Sequence, residues 1–117
     1  MSIDLDLFIA AESSLSETAS ELQNALNVPF EPSQDGTGSS AFKALRNGVT
    51  LTLMVHDLET DRNLDFENYR YQLAFQFPDT RESAKEYAIE VFDVLSEKTS
   101  CRLLLSEDVQ VELLRRT

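Results

Sequence analysis

The sequence predicts an α+β domain of two layers, a mainly antiparallel sheet with two helices packed on one face. Three observations carry that prediction. Residues 42–53 alternate around an Asn-Gly pair, which marks a β-hairpin. Segments 14–27 and 80–98 repeat apolar residues at helical spacing. The strands between those helices are joined by connections too short for parallel crossovers. The predicted order is approximately β-α-β-β-β-α-β, in one domain spanning residues 1–117.

In chain order, Ile3, Leu5, Leu7 and Ile9 share one side at period two, and Asp4 and Asp6 point the other way. That pattern is a half-buried strand. Ser14 followed by Glu17 fits a capping box, in which each side chain satisfies a backbone N–H of the first helical turn. Leu15, Ala19, Leu22 and Leu26 then form one apolar stripe, and Pro29 ends the run. Residues 33–40, "SQDGTGSS", read as a loop. It lacks the lysine of a P-loop and the spacing of a dinucleotide fingerprint.

The hairpin is the sharpest local signal. Asn47-Gly48 suits a type I′ turn because both residues accept positive φ. A two-residue turn sets Arg46 against Val49, Ala44 against Leu51 and Phe42 against Leu53. Residues 69–77 alternate again, with Tyr69, Tyr71, Leu73, Phe75 and Phe77 on one side and Arg70, Gln72, Ala74 and Gln76 on the other. Pro78 stops that strand.

Asp79 or Thr80 can cap the second helix. Its apolar face comprises Ala84, Tyr87, Ala88, Val91, Val94 and Leu95, extended by Phe92. Its outer face carries Glu82, Lys85, Glu86, Glu90, Asp93 and Glu97, an acidic stripe. "CRLLL", 101–105, reads as a short buried strand. In the tail, Val109, Val111 and Leu113 alternate as a strand would, while Val109 and Leu113 also fit a helical turn. The strand is the preferred reading. The second face of the sheet is then polar and open to water or a partner, since a one-sided sheet needs cover on one face only.

Charge narrows the function. Ten basic residues face twenty-one acids, a net charge of −11. Seven acids and no Lys or Arg occur before Lys43. Phosphate backbones and anionic membranes repel such a surface, so direct nucleic-acid and membrane binding are disfavoured. A basic protein is the partner this charge attracts. Solubility alone is the competing account of the same charge. The single cysteine, Cys101, forms no internal disulfide and fits a reducing compartment. The N-terminus has no basic n-region, so a cytoplasmic protein is expected.

The stretch "HDLETDRNLDFEN", 56–68, concentrates what chemistry the chain displays. It holds the only histidine and the carboxylates Asp57, Glu59, Asp61, Asp65 and Glu67. Oxygen-bearing residues fall at alternate positions from Asp57, as in half of a calcium-binding EF-hand loop. Arg62 stands where that loop needs glycine, and Asn68 where it needs a bidentate glutamate. Zinc would require companions that His56 and Cys101 do not have. No base is placed beside a nucleophile, so no enzyme, metal or cofactor is expected. The five carboxylates are instead the expected partner-binding residues, on a connection long enough to project between two strands.

An acidic chain of this length resembles bacterial immunity proteins of contact-dependent or polymorphic toxin systems. The likeness rests on the capped first helix, the "RNGVTLTLMV" hairpin and the second acidic helix. It covers the whole chain in character and no shared motif. It implies a cognate basic toxin, often a nuclease, bound as a 1:1 complex by a monomeric inhibitor. The alternative is an acidic secretion chaperone, to which "LNVPFE" after the first helix is similar. Such chaperones are usually dimers with a third, C-terminal helix, which the tail here does not suggest.

Overall fold

The computed structural model describes residues 5–34, 40–56, 68–78, 83–107 and 111–116. Among these, the chain order is β1 (Leu5–Ala10), α1 (Leu15–Leu26), β2 (Glu31–Gln34), β3 (Ser40–Arg46), β4 (Val49–Val55), β5 (Tyr71–Gln76), α2 (Ala84–Lys98), β6 (Arg102–Glu107) and β7 (Val111–Arg116). The strands form one sheet in the order β2-β3-β4-β5-β1-β6-β7. Every neighbouring pair is antiparallel. Both helices pack on the same face and against each other, so the predicted two-layer α+β architecture is the one found.

The first helix starts where its side chains can close the backbone. Glu17 N–H donates to Ser14 Oγ at 3.2 Å, and Ser14 N–H donates to Glu17 Oε1 at 3.3 Å. Asn27 ends the helix in the left-handed region, φ 58°, and its N–H donates to the Gln23 carbonyl. Gln23 Oε1 then accepts from Phe30 N–H at 3.0 Å, which holds the departing chain against the helix. That exit leads into β2, a strand that the sequence reading places partly in a loop. Four residues with Pro32 among them show no alternation, and proline is tolerated there because β2 is a sheet edge.

The hairpin has the predicted register. Arg46 pairs with Val49, Ala44 with Leu51 and Phe42 with Leu53. Asn47 and Gly48 both have positive φ, 53° and 80°. The hairpin end is fastened to α2. Tyr87 donates its hydroxyl to the Arg46 carbonyl at 3.0 Å, the Arg46 guanidinium lies over the Tyr87 ring, and it pairs with Glu90 at 3.1 Å.

The main core lies between helices and sheet. Leu7, Ile9, Leu51, Leu53, Leu73, Leu103 and Leu105 from the strands meet Leu22, Ala88, Val91 and Leu95 from the helices. Burial of each such leucine contributes roughly 2 kcal/mol relative to leaving it exposed. β1 and β6, both interior strands of the order, are covered on both faces: Leu103, Leu104 and Leu105 are all inaccessible. A short run of successive leucines is what a two-sided buried strand requires.

The other face departs from the polar, open surface expected. Phe8, Tyr69 and Leu104 form a second buried cluster there, with Ala10 packed on it. Asp6 and Ser106 are buried on the same face, and Asp6 accepts a hydrogen bond from Gln72 Nε2 at 2.9 Å. Tyr69 is the clearest correction. Alternation groups it with Tyr71, yet β5 begins only at Tyr71, so the period-two rule does not reach back to Tyr69. Tyr71 enters the helix-side core, and Tyr69 joins Phe8 and Leu104.

The tail is a strand, β7, paired with β6. The register shifts between Leu105 and Ser106, which face Leu114 and Glu112 and leave Leu113 as an extra residue. That bulge lets both Leu113 and Leu114 pack on the core, and it blurs the alternation in the sequence.

Candidate protein-binding surface

α2 presents its charge by simple helical geometry. Tyr87, Ala88, Val91 and Leu95 are drawn into the core, which turns Glu86, Glu90, Asp93 and Glu97 outward. These four recur at three- and four-residue spacing, so they share one exposed stripe. Glu90 pairs with Arg46. Glu86, Asp93 and Glu97 have no ion-pair partner among the described residues. Lys85, beside the stripe, is committed to Glu107 at 3.0 Å. Ile89 is the one large apolar side chain of α2 that is exposed, and it sits among Glu86, Glu90 and Asp93.

Asp57, Glu59, Asp61, Asp65 and Glu67, the expected partner-binding residues, lie outside the described residues, as does the half-matched calcium loop they form. So do Glu82, Asp79 and Thr80, which the sequence reading gives to the second helix and its cap. The two residues that bracket the 57–67 connection are described. His56 follows β4, and Asn68 precedes β5. Both belong to the end of the sheet where β1 finishes and β6 starts, because Tyr71 pairs with Val55 and with Ile9, and Ala10 pairs with Arg102. α2 also finishes at that end, since only three residues separate Lys98 from Arg102. The acidic connection therefore leaves and rejoins the sheet at the end towards which the stripe on α2 runs.

His56 is the strand-end histidine of the second sheet face that its position suggests. Its Nε2–H donates to the Tyr69 carbonyl, and its ring stands edge-on to Phe8 at 5.0 Å between centroids. A carbonyl can only accept, so the bond assigns the proton to Nε2. Cys101 is buried at the edge of the main core, with its Sγ 3.6 Å from Glu21 Oε2. Burial chiefly, with the neighbouring Glu21 carboxylate, pushes its thiol above the ordinary value. A protonated, buried thiol is a poor nucleophile. Among the described residues, no three His, Cys, Asp or Glu side chains are placed together to hold a metal ion. No helix among them is long and apolar enough to cross a membrane.

One concavity opens beside Asn68, where the acidic connection rejoins the sheet. A cleft of about 480 Å³ opens at the shared end of β1 and β6, lined by Glu12, Glu21, Arg70, Cys101 and Arg102 among others. Sequence reasoning assigned Arg70 only to a polar strand face and gave Arg102 no role. The two are thirty-two positions apart, and only the pairing of β5 and β6 on either side of β1 brings them together.

No protein-family model, curated protein or solved structure matches this chain.

Proposed function

We propose that the protein is an acidic protein-binding module of the immunity type, which docks on a basic toxin and blocks it by contact. The observation that supports this most is the outward stripe of α2. Three carboxylates, Glu86, Asp93 and Glu97, stand exposed without a cation partner among the described residues, on a chain of net charge −11. Carboxylates needed only for the fold would be expected to find some of the ten basic side chains. Ile89 supplies a desolvating contact inside the charged ring, the arrangement in which charge steers encounter and an apolar centre retains the partner. The acidic connection carrying Asp57, Glu59, Asp61, Asp65 and Glu67 adds the second part of the contact in this reading. A nuclease is a natural target because its own site is basic in order to hold phosphate.

The test is to capture the partner with the full chain, identify it by mass spectrometry, and measure association with the purified partner at several salt concentrations. A basic toxin whose activity is blocked, and whose association rate falls about tenfold or more from low to high salt, supports the reading. An association rate indifferent to salt removes the steering role of the acids. A tight homodimer that binds a secreted effector without inhibiting it would point to the chaperone reading instead.

A further inference from the structure

We propose that the cleft at the end of β1 binds a small zwitterion, an amino acid or a compound bearing the same pair of charges. Ala10, the last residue of β1, pairs with Arg102 of β6. On its other side Ile9 pairs with Tyr71, so Arg70, one residue before β5, comes alongside Ala10. Arg70 and Arg102 both line the cleft beside Ala10. Strands lie about 4.8 Å apart, which sets the two arginine backbones roughly 10 Å from each other across a floor that alanine leaves low.

Each guanidinium is held by an aromatic ring. Arg70 lies over Tyr71 at 5.2 Å and Arg102 over Tyr69 at 5.8 Å. Stacking orients the planar fork and leaves its N–H donors available for a carboxylate. Neither arginine has an ion-pair partner among the described residues, although acids outnumber bases two to one. The same lining also carries the reverse charge. Glu12 follows β1, and Glu21 projects from α1 on the helix side of the sheet. Glu21 Oε2 faces the Cys101 thiol, which leaves Oε1 for an ammonium donor. A lone anion would meet Glu12 and Glu21, and a lone cation would meet the arginines. A ligand with both charges satisfies both signs of the lining, and about 480 Å³ is within the range of small-molecule sites. The proposal does not rest on the protein-binding reading, although Asn68, where the acidic connection rejoins the sheet, also lines the cleft.

The experiment titrates the ¹⁵N-labelled full chain with glycine, 4-aminobutyrate and 6-aminohexanoate, which differ in charge separation, with acetate and propylamine as single-charge controls. At least one amino acid is expected to shift the signals of Ala10, Arg70, Cys101 and Arg102 saturably, about tenfold more tightly than either control. Arg70→Ala and Arg102→Ala should each weaken that binding by a similar factor while the remaining spectrum is preserved. Glu21→Gln should reduce the preferred amino acid to the affinity of acetate. The proposal is overturned by saturable binding of acetate as tight as that of any amino acid, by binding unchanged in the arginine variants, or by no saturable shift with any of the three amino acids.

Discussion

His56 and Phe8 meet edge to face, 5.0 Å between ring centroids, and the same imidazole donates from Nε2 to the Tyr69 carbonyl. The histidine thus ties the end of β4 to the residues leading into β5, over the second apolar cluster. Its role in the fold is that of a bracket. His56→Ala is expected to lower unfolding free energy by about 1–2 kcal/mol, the sum of an aromatic contact and one part-buried hydrogen bond. Phe8→Ala, which removes an inaccessible ring, should cost about 3–5 kcal/mol. Urea unfolding measures both. An H56A chain as stable as the parent would show that the ring is merely parked there.

The hairpin turn tests backbone conformation apart from packing. Gly48 has φ +80°, and a Cβ placed on it would meet nothing within 4 Å. Any loss on Gly48→Ala is therefore backbone strain, about 1–2 kcal/mol for an L-residue in that region. Asn47→Ala should cost less, since φ 53° lies in the left-handed well that alanine enters at smaller penalty. Thermal unfolding of both variants checks the order. Equal stability of G48A and the parent would mean the turn relaxes to another type.

Local chemistry was legible in the sequence, and long-range placement was not. The Ser14–Glu17 box and the 46-to-49 register follow from residue types a few positions apart, so they were read correctly from the chain alone. β2 escaped because an edge strand with Pro32 need not alternate. The second buried cluster escaped for a different reason. Phe8, Tyr69 and Leu104 come from three distant segments, and only the order β5-β1-β6 sets them together. The same order brings Arg70 and Arg102 to one cleft. No period in a single segment carries that information. The five acids of 57–67, chosen because they cluster in sequence, lie outside the described residues, and the stripe on α2 provides the surface that the fold does describe.

Cys101 makes stability depend on alkaline pH. Its thiol is pushed above the ordinary value of 9.0, mainly by burial. The folded chain therefore holds this proton more tightly than the unfolded chain does. The stabilising contribution is complete below the ordinary thiol value and is lost as pH rises from there through the raised value. In urea titrations across that window, the parent should lose stability relative to Cys101→Ala, whose own pH dependence lacks this component. Alkylation of the native thiol should likewise be slow at neutral pH and accelerate only on unfolding. Parallel pH profiles for parent and C101A would refute the assignment.

Glu97 offers the sharpest separation of function from stability. It stands in the last turn of α2, where the helix carbonyls already concentrate negative charge and a cation is preferred. With Asp93 one turn earlier, the carboxylate works against the helix. Glu97→Lys is expected to raise stability by about 0.3–1 kcal/mol, because it relieves both the dipole and the like-charge neighbour. If the stripe is a docking surface, the same substitution slows association with a basic partner and reduces the salt dependence of the rate. The triple change Asp57→Lys, Asp61→Lys, Asp65→Lys is expected to slow association too, with thermal stability nearly unchanged. Stopped-flow association beside thermal unfolding separates the two effects. A Glu97→Lys chain that is more stable and binds at the parental rate would leave the charge of α2 with solubility as its only role, and the docking surface would then have to lie elsewhere.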